Sequence, residues 1–464
     1  MFFLGSLQRT TTSTALREDF SYVVRTPNLL KEAIQSPESK NETLQEAPSE
    51  KKARDLEMLG QVDEALSLYY SLYTKDQSNE EYLSKIAGLL VKKESWSSAH
   101  EAYKKLFANP SHTNEVTLGY INTLLHLQST PLKTEQITTI ASILANLQNA
   151  ENEKNYYTCI LALSTEKNIK DSCQVLATSI DTKSSTLWKE IEDRLHRFDS
   201  QRDGKETYLS LMLSGLLSEN GWYNLSFLKA KEVLLAQNEY RDAWILTGYD
   251  LIQMKEYQKA LFYLEEAYKK DTTKVHVQYL LGVAHDHLGN KEKAISYYTI
   301  ALKNKFPAEK DIIKRIGELY VSLGKYDLAL EISLQTLKDK PNLSPDDYLS
   351  PLWILLNLQA NPQKASEIAG EGLKKFPEDK TMEGIYQWSL CYQEDTKNDA
   401  YKRLKELGTS SPELIKVKVL ATRCAIQMKN KKEALELLTN LKQQTATQEI
   451  YRQIQDLTSL TNAL

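Results

Sequence analysis

Apolar residues recur along this chain at helical spacing for about a dozen positions, stop, and resume, and the stop falls at the same point of each cycle. Three stretches show the register: "WILTGYDLIQMKEYQKALFYLEEAY" from Trp244, "YLLGVAHDHLGNKEKAISYYTIAL" from Tyr279 and "RIGELYVSLGKYDLALEISLQTL" from Arg315. Gly248, Gly282 and Gly317 stand 34 and then 35 residues apart, as do Ala260, Ala294 and Ala329, while Ala267 and Ala301 are 34 apart. The breaks fall at Lys255, Gly289 and Gly324, and a glycine there ends a helix in the left-handed conformation. Each cycle therefore predicts two antiparallel helices joined by a short turn. Small side chains at the glycine and alanine positions let the two helices cross closely, and larger ones such as Leu264 and Tyr298 fill the space towards the next hairpin. A single hairpin cannot bury its apolar face, so the units must stack.

The register extends both ways. Ala365, Ala400 and Ala434 continue it at 34 to 36 residues, with Pro377 and Pro412 closing two of the cycles. In these cycles Trp353, Trp388 and Thr422 replace the glycine of the first helix. Gly221, Tyr223 and Ala230 mark a unit starting near residue 207, and Ala53, Ala65 and Tyr69 repeat as Ala87, Ala99 and Tyr103. The expected organisation is an N-terminal segment 1–45 without a core, two repeats over 46–113, divergent hairpins and a linker over 114–206, seven repeats over 207–448, and a capping helix over 449–464. Within 114–206, "STLWKEIEDRLHRFDSQRDGKE" reads as a solvated helix running into the linker. The divergent segment is either a hinge between two arms or part of one continuous coil.

These positions resemble the tetratricopeptide repeat. Trp244, Gly248, Tyr257, Ala260 and Ala267 match its pattern, then Leu281, Gly282, Gly289, Ala294, Tyr298 and Ala301, then Gly317, Tyr320, Gly324, Tyr326, Ala329 and Pro341. The resemblance implies an all-α solenoid wound as a right-handed superhelix, whose concave wall is made by the first helices of the units. It also implies a non-enzymatic scaffold that holds a peptide or helix of a partner protein in that groove. The alternatives are an assembly or regulatory subunit of a membrane-envelope or organelle complex and, further off, an RNA-binding helical repeat.

Composition narrows the choice. A net charge of −4 lacks the basic excess that displaces counterions from nucleic acid or an anionic membrane. No apolar run approaches the roughly 20 residues of a membrane-spanning helix. Cys159, Cys173, Cys391 and Cys424 are far apart and show no metal-ligand spacing, so they are expected as buried free thiols in a reducing compartment. The start, "MFFLGSLQRTTTSTALR", with Arg9 and Arg17 and no acid before Glu18, suits a disordered tail, a mitochondrial-type presequence or the sequel of a membrane anchor. A cytoplasmic location is expected, with mitochondrial and membrane-anchored ones as alternatives.

Candidate chemistry is sparse. His285, Asp286 and His287 are the one suggestive cluster, but residues two apart on a helix point about 200° apart, so the imidazoles do not share a metal ion. His285 is assigned to inter-helix packing. No phosphate-binding loop or hydrolase motif is present, Asp346 and Asp347 are expected to cap a helix, and neither cofactor nor metal is called for. A bound segment would meet the non-packing face of the first helices: Asp242, Tyr249 and Gln253; His276, Tyr279, Val283 and His287; Asp311, Lys314, Arg315 and Glu318; and Asn357, Tyr386, Ser389 and Tyr392. Tyrosine suits such a wall, with a stiff ring and a polar tip. The Lys and Asn pattern with which some relatives clamp a terminal carboxylate is not matched, since of its positions only Arg315 fits.

Overall fold

The computed structural model describes residues 50–127, 132, 134–165, 169–199, 206–339, 342–410, 414–442 and 448–463, so the expected N-terminal segment 1–45 lies outside it. The ordered elements among these residues are helical, without a strand. They form two compact units that divide between Phe306 and Pro307.

The first unit opens with α1 (Glu50–Met58), α2 (Val62–Lys75), α3 (Glu80–Lys92) and α4 (Trp96–Phe107). It continues with α5 (Asn114–Leu125), α6 (Thr134–Asn146), α7 (Glu151–Thr165), the short α8 (Ile169–Cys173) and α9 (Thr182–Asp199). Three hairpins complete it: α10 (Glu206–Glu219) with α11 (Tyr223–Ala236), α12 (Arg241–Gln253) with α13 (Tyr257–Lys270), and α14 (Val275–His287) with α15 (Lys291–Lys303). The second unit pairs α16 (Glu309–Ser322) with α17 (Tyr326–Asp339), then a bent segment with α19 (Pro362–Lys375). That segment is a 3₁₀ turn (Pro345–Tyr348), α18 (Leu349–Trp353) and a π turn (Ile354–Leu358). It ends with α20 (Lys380–Leu390), α21 (Lys397–Ser410), α22 (Ile415–Gln427), α23 (Lys431–Lys442) and α24 (Gln448–Ala463).

The turns explain the period. In seven hairpins the residue after the first helix adopts positive φ: Gly60, Glu94, Gly221, Lys255, Gly289, Gly324 and Lys429. Each turn closes by the same two backbone bonds, as where the Gly289 N–H donates to the Asp286 carbonyl at 2.9 Å and the Asn290 N–H to the His285 carbonyl at 2.8 Å. This pair of bonds satisfies carbonyls that the helix end would otherwise leave open. The structure thus places a left-handed residue at all three breaks read from the sequence, although Lys255 carries a side chain there.

The small-residue positions divide. Ala260, Ala294, Ala329, Ala365 and Ala434 are fully buried, as are Ala53, Ala65, Ala87 and Ala99 near the start. A methyl on Gly248 would lie 2.6 Å from Leu264, and one on Gly282 would lie 2.5 Å from the Tyr298 ring, so both glycines sit in tight notches. Gly317 does not, because nothing lies within 4 Å of where its Cβ would be. The facing position, occupied by Leu264 and Tyr298 in the preceding hairpins, is Ser333, which is too short to reach. A further notch lies in the divergent region, where a methyl on Gly119 would run into the Tyr103 ring.

Three other expectations change. Helix α9 is not solvated all round, because it buries Leu187, Trp188 and Ile191 in a core shared with α5, α7 and α10. The region 114–206 therefore packs within the first unit, and the division falls about 100 residues later. The cysteines are not free thiols: Cys159 is bonded to Cys173 and Cys391 to Cys424. Asp346 and Asp347 differ from each other. Asp347 accepts from the Ser344 N–H at 2.8 Å and closes a capping box, whereas Asp346 pairs with Lys416. No helix among the described residues is long and apolar enough to cross a membrane.

Candidate functional site

The residues expected to meet a partner stand on the first-helix segments of successive hairpins, in both compact units. In the first unit the histidine cluster separates as its helical spacing demands. His285 is buried, its ring parallel to that of Tyr297 on α15 at 5.5 Å, and burial, then Lys293, pushes its pKa down. His287 is exposed and stacks on Tyr257 of α13 at 4.1 Å. Asp286 accepts a hydrogen bond from the Tyr298 hydroxyl at 3.3 Å. The three side chains thus face different neighbours, and no group of three metal-ligating residues occurs among the described residues.

The expected wall of the first unit is drier than its sequence suggested. Tyr249 is 4 % exposed and meets Tyr223 edge-on at 6.2 Å, and Tyr279 is 8 % exposed and stacks on Phe306 at 4.4 Å. Both rings are packing residues, and neither lies on an open face. His276 is half-buried, edge-on to Phe306 at 5.5 Å, and desolvation, then Lys274, pushes its pKa down. Asp242 accepts from the Arg241 guanidinium at 2.8 Å, and Arg241 also reaches Asp271 at 2.9 Å, tying the start of α12 to the turn after α13. Asp242 and Gln253 remain half-exposed and His287 exposed.

Sequence reasoning passed over Asp250, which faces inward between α10, α11 and α12. It is fully buried and accepts from the Ser218 hydroxyl at 2.7 Å and the Ser226 hydroxyl at 2.5 Å. Ser214 donates in turn to the Ser226 carbonyl at 2.9 Å. Desolvation drives the Asp250 pKa well above the ordinary carboxylate value, against the pull of the Ser226 and Ser218 hydrogen bonds, which lower it. Tyr223 nearby is pushed up to about 12 by burial and by Asp250. The signal was present: an acid inside the apolar run "TGYDLI" and two serines inside the apolar run "LSGLLSE" break the pattern at packing positions.

The second unit keeps a wetter wall. Lys314 is exposed, while Arg315 donates to the buried Glu318 at 2.9 Å, so these two form a pair. Asp311 is half-buried. Tyr392 donates its hydroxyl to the exposed Asn357 at 3.0 Å, a bond between the π turn and the end of α20. Tyr386 is half-buried beside Gly370, and Ser389 is buried, its hydroxyl spent on the Tyr386 carbonyl at 2.6 Å. Arg423 on α22, which the sequence reading passed over, is desolvated enough to lower its pKa and feels Tyr392 and Asp456. It carries no sequence signal beyond its place one hairpin after Ser389.

The sequence profile of the tetratricopeptide repeat matches residues 275–305, the α14–α15 hairpin. Sequence comparison with curated proteins finds no match. Among solved structures, MamA protein is similar at 21% identity, over 37% of this chain and 92% of that one, with a TM-score of 0.33. A tetratricopeptide repeat protein from Parabacteroides merdae is similar at 17% identity, over 59% of this chain and 99% of its own, with a TM-score of 0.37. Yeast Tom70 is similar at 13% identity, over 89% and 95% of the two chains, with a TM-score of 0.32.

Proposed function

We propose that this chain, which carries a tetratricopeptide repeat at residues 275–305 and repeats that hairpin on either side, is a non-enzymatic scaffold for a segment of a partner protein. The supporting observation is the wall of the second unit. There Lys314, Asn357, Tyr386 and Tyr392 stand on successive first-helix segments and keep part of their surface open. An extended or helical peptide fits such a wall, because polar tips can meet its backbone while ring faces cover its apolar side chains. In the first unit, Asp242, Gln253 and His287 offer a smaller set of open side chains, while Tyr249 and Tyr279 are buried.

The test is a measured affinity for the partner recovered by cross-linking and mass spectrometry. Tyr386→Ala combined with Tyr392→Ala is expected to weaken binding at least tenfold, about 1.4 kcal/mol, with helicity retained. Tyr249→Ala combined with Tyr279→Ala is expected to lower the melting temperature first, because it opens two packed positions. An undiminished affinity in the Tyr386/Tyr392 double variant removes the second unit's wall from the reading.

A further inference from the structure

The chain has four cysteines in 464 residues, and all four are joined in pairs. Cys159 on α7 and Cys173 at the end of α8 have Cα atoms 4.8 Å apart, and those of Cys391 and Cys424 are 5.7 Å apart. Both separations lie within the range a disulfide spans. All four residues are buried, at 0 or 1 % exposure. Thiols used only as small hydrophobes can sit anywhere in a core this large, and nothing in such use brings each of four beside a mate.

The second pair ties together two first helices of the repeat. Cys391 follows α20 and Cys424 lies in α22, the first helices of consecutive hairpins, 33 residues apart. In these two hairpins Trp388 and Thr422 stand where a glycine would admit close crossing. The bond adds a covalent tie between α20 and α22, which already approach so closely that a methyl on Gly384 would lie 2.9 Å from Val417. It also fixes the neighbours Tyr392 and Arg423 on the wall of the second unit.

From this arrangement we infer that the native chain carries both disulfides and works in an oxidising compartment, outside the reducing one expected from the wide spacing of its cysteines. Each bond forms as two thiols lose two protons and two electrons to the disulfide of a thiol–disulfide oxidoreductase, which leaves as a dithiol. The partner of the scaffold is then a protein of that same compartment. The inference does not depend on which wall binds it.

The test uses the full-length chain taken from its own host, with N-ethylmaleimide added at lysis to trap free thiols before air can oxidise them. Mass spectrometry is expected to find no adduct on the trapped protein and four after denaturing reduction. Peptide mapping is expected to find the linked pairs 159–173 and 391–424. An adduct on any of the four cysteines before reduction, or a different pairing, overturns the inference. Separately, Cys391→Ala with Cys424→Ala should speed amide exchange in α20 and α22 and leave α12 to α15 unchanged. Unaltered exchange in α20 and α22 overturns the covalent tie as a support of that wall.

Discussion

Single residues in this chain carry opposite demands at positions that look alike in sequence. Gly248, Gly282 and Gly317 share a register, yet only the first two face a side chain that reaches them. Gly282→Ala is therefore expected to cost about 1–3 kcal/mol by driving into the Tyr298 ring. Gly317→Ala is expected to be neutral or to stabilise by up to about 1 kcal/mol, since alanine holds a helix better than glycine. Equal losses in urea unfolding of the two variants would contradict the distinction. The turn positions invert the choice. Glu94, Lys255 and Lys429 hold positive φ with a side chain attached, which costs about 1 kcal/mol relative to glycine. Lys255→Gly should raise stability by about that amount, and Gly289→Ala should lower it. What the sequence concealed here was the partner side chain: a notch exists only where the facing residue is long, and Ser333 against Tyr298 decides it.

At the scale of elements, the hairpins of the first unit are joined by polar contacts as well as by apolar packing. Asp250 links α12 to α10 through Ser218 and to α11 through Ser226. Its folded pKa is raised by burial above the value of about 3.9 that the unfolded chain retains. Between those two values the folded state holds a proton that the unfolded state has released. Stability contributed by the neutral carboxyl is thus full below about pH 4, falls as pH rises towards the folded pKa, and is level above it. Asp250→Asn keeps the size and the acceptor but cannot titrate. Its stability relative to the native chain should therefore grow as pH rises from about 4 to 7, as read by denaturant midpoints at each pH. A constant difference across that range would show that the carboxyl titrates normally in the fold. Helix α9 teaches the complementary point. Its charged face reads as solvated, but Leu187, Trp188 and Ile191 recur at helical spacing and are enough to bury one side.

Among the described residues, the period was legible because seven hairpins repeat one turn, left-handed and closed by the same two backbone bonds. That turn recurs at a fixed position and needs no knowledge of the neighbours. The wall residues were legible only as positions. Whether Tyr249 or Tyr392 is open depends on side chains one hairpin away, Tyr223 in one case and Asn357 in the other. The cysteine pairs were hidden for the same reason, since 33 residues separate Cys391 from Cys424 in sequence but the repeat brings them to adjacent helices. A chain built from near-neighbour contacts should also respond locally to damage. Gly282→Leu overfills the α14–α15 hairpin and should speed amide exchange most in α12 to α15, less in α10 and α11, and not in α20 to α23. The two compact units, each with its own core, make that gradient steeper still, because the substitution lies in the first and α20 to α23 lie in the second. A uniform rise in exchange from α1 to α24 would mean that the chain unfolds as one cooperative body, and the stacking of neighbour on neighbour would then not be the basis of its stability.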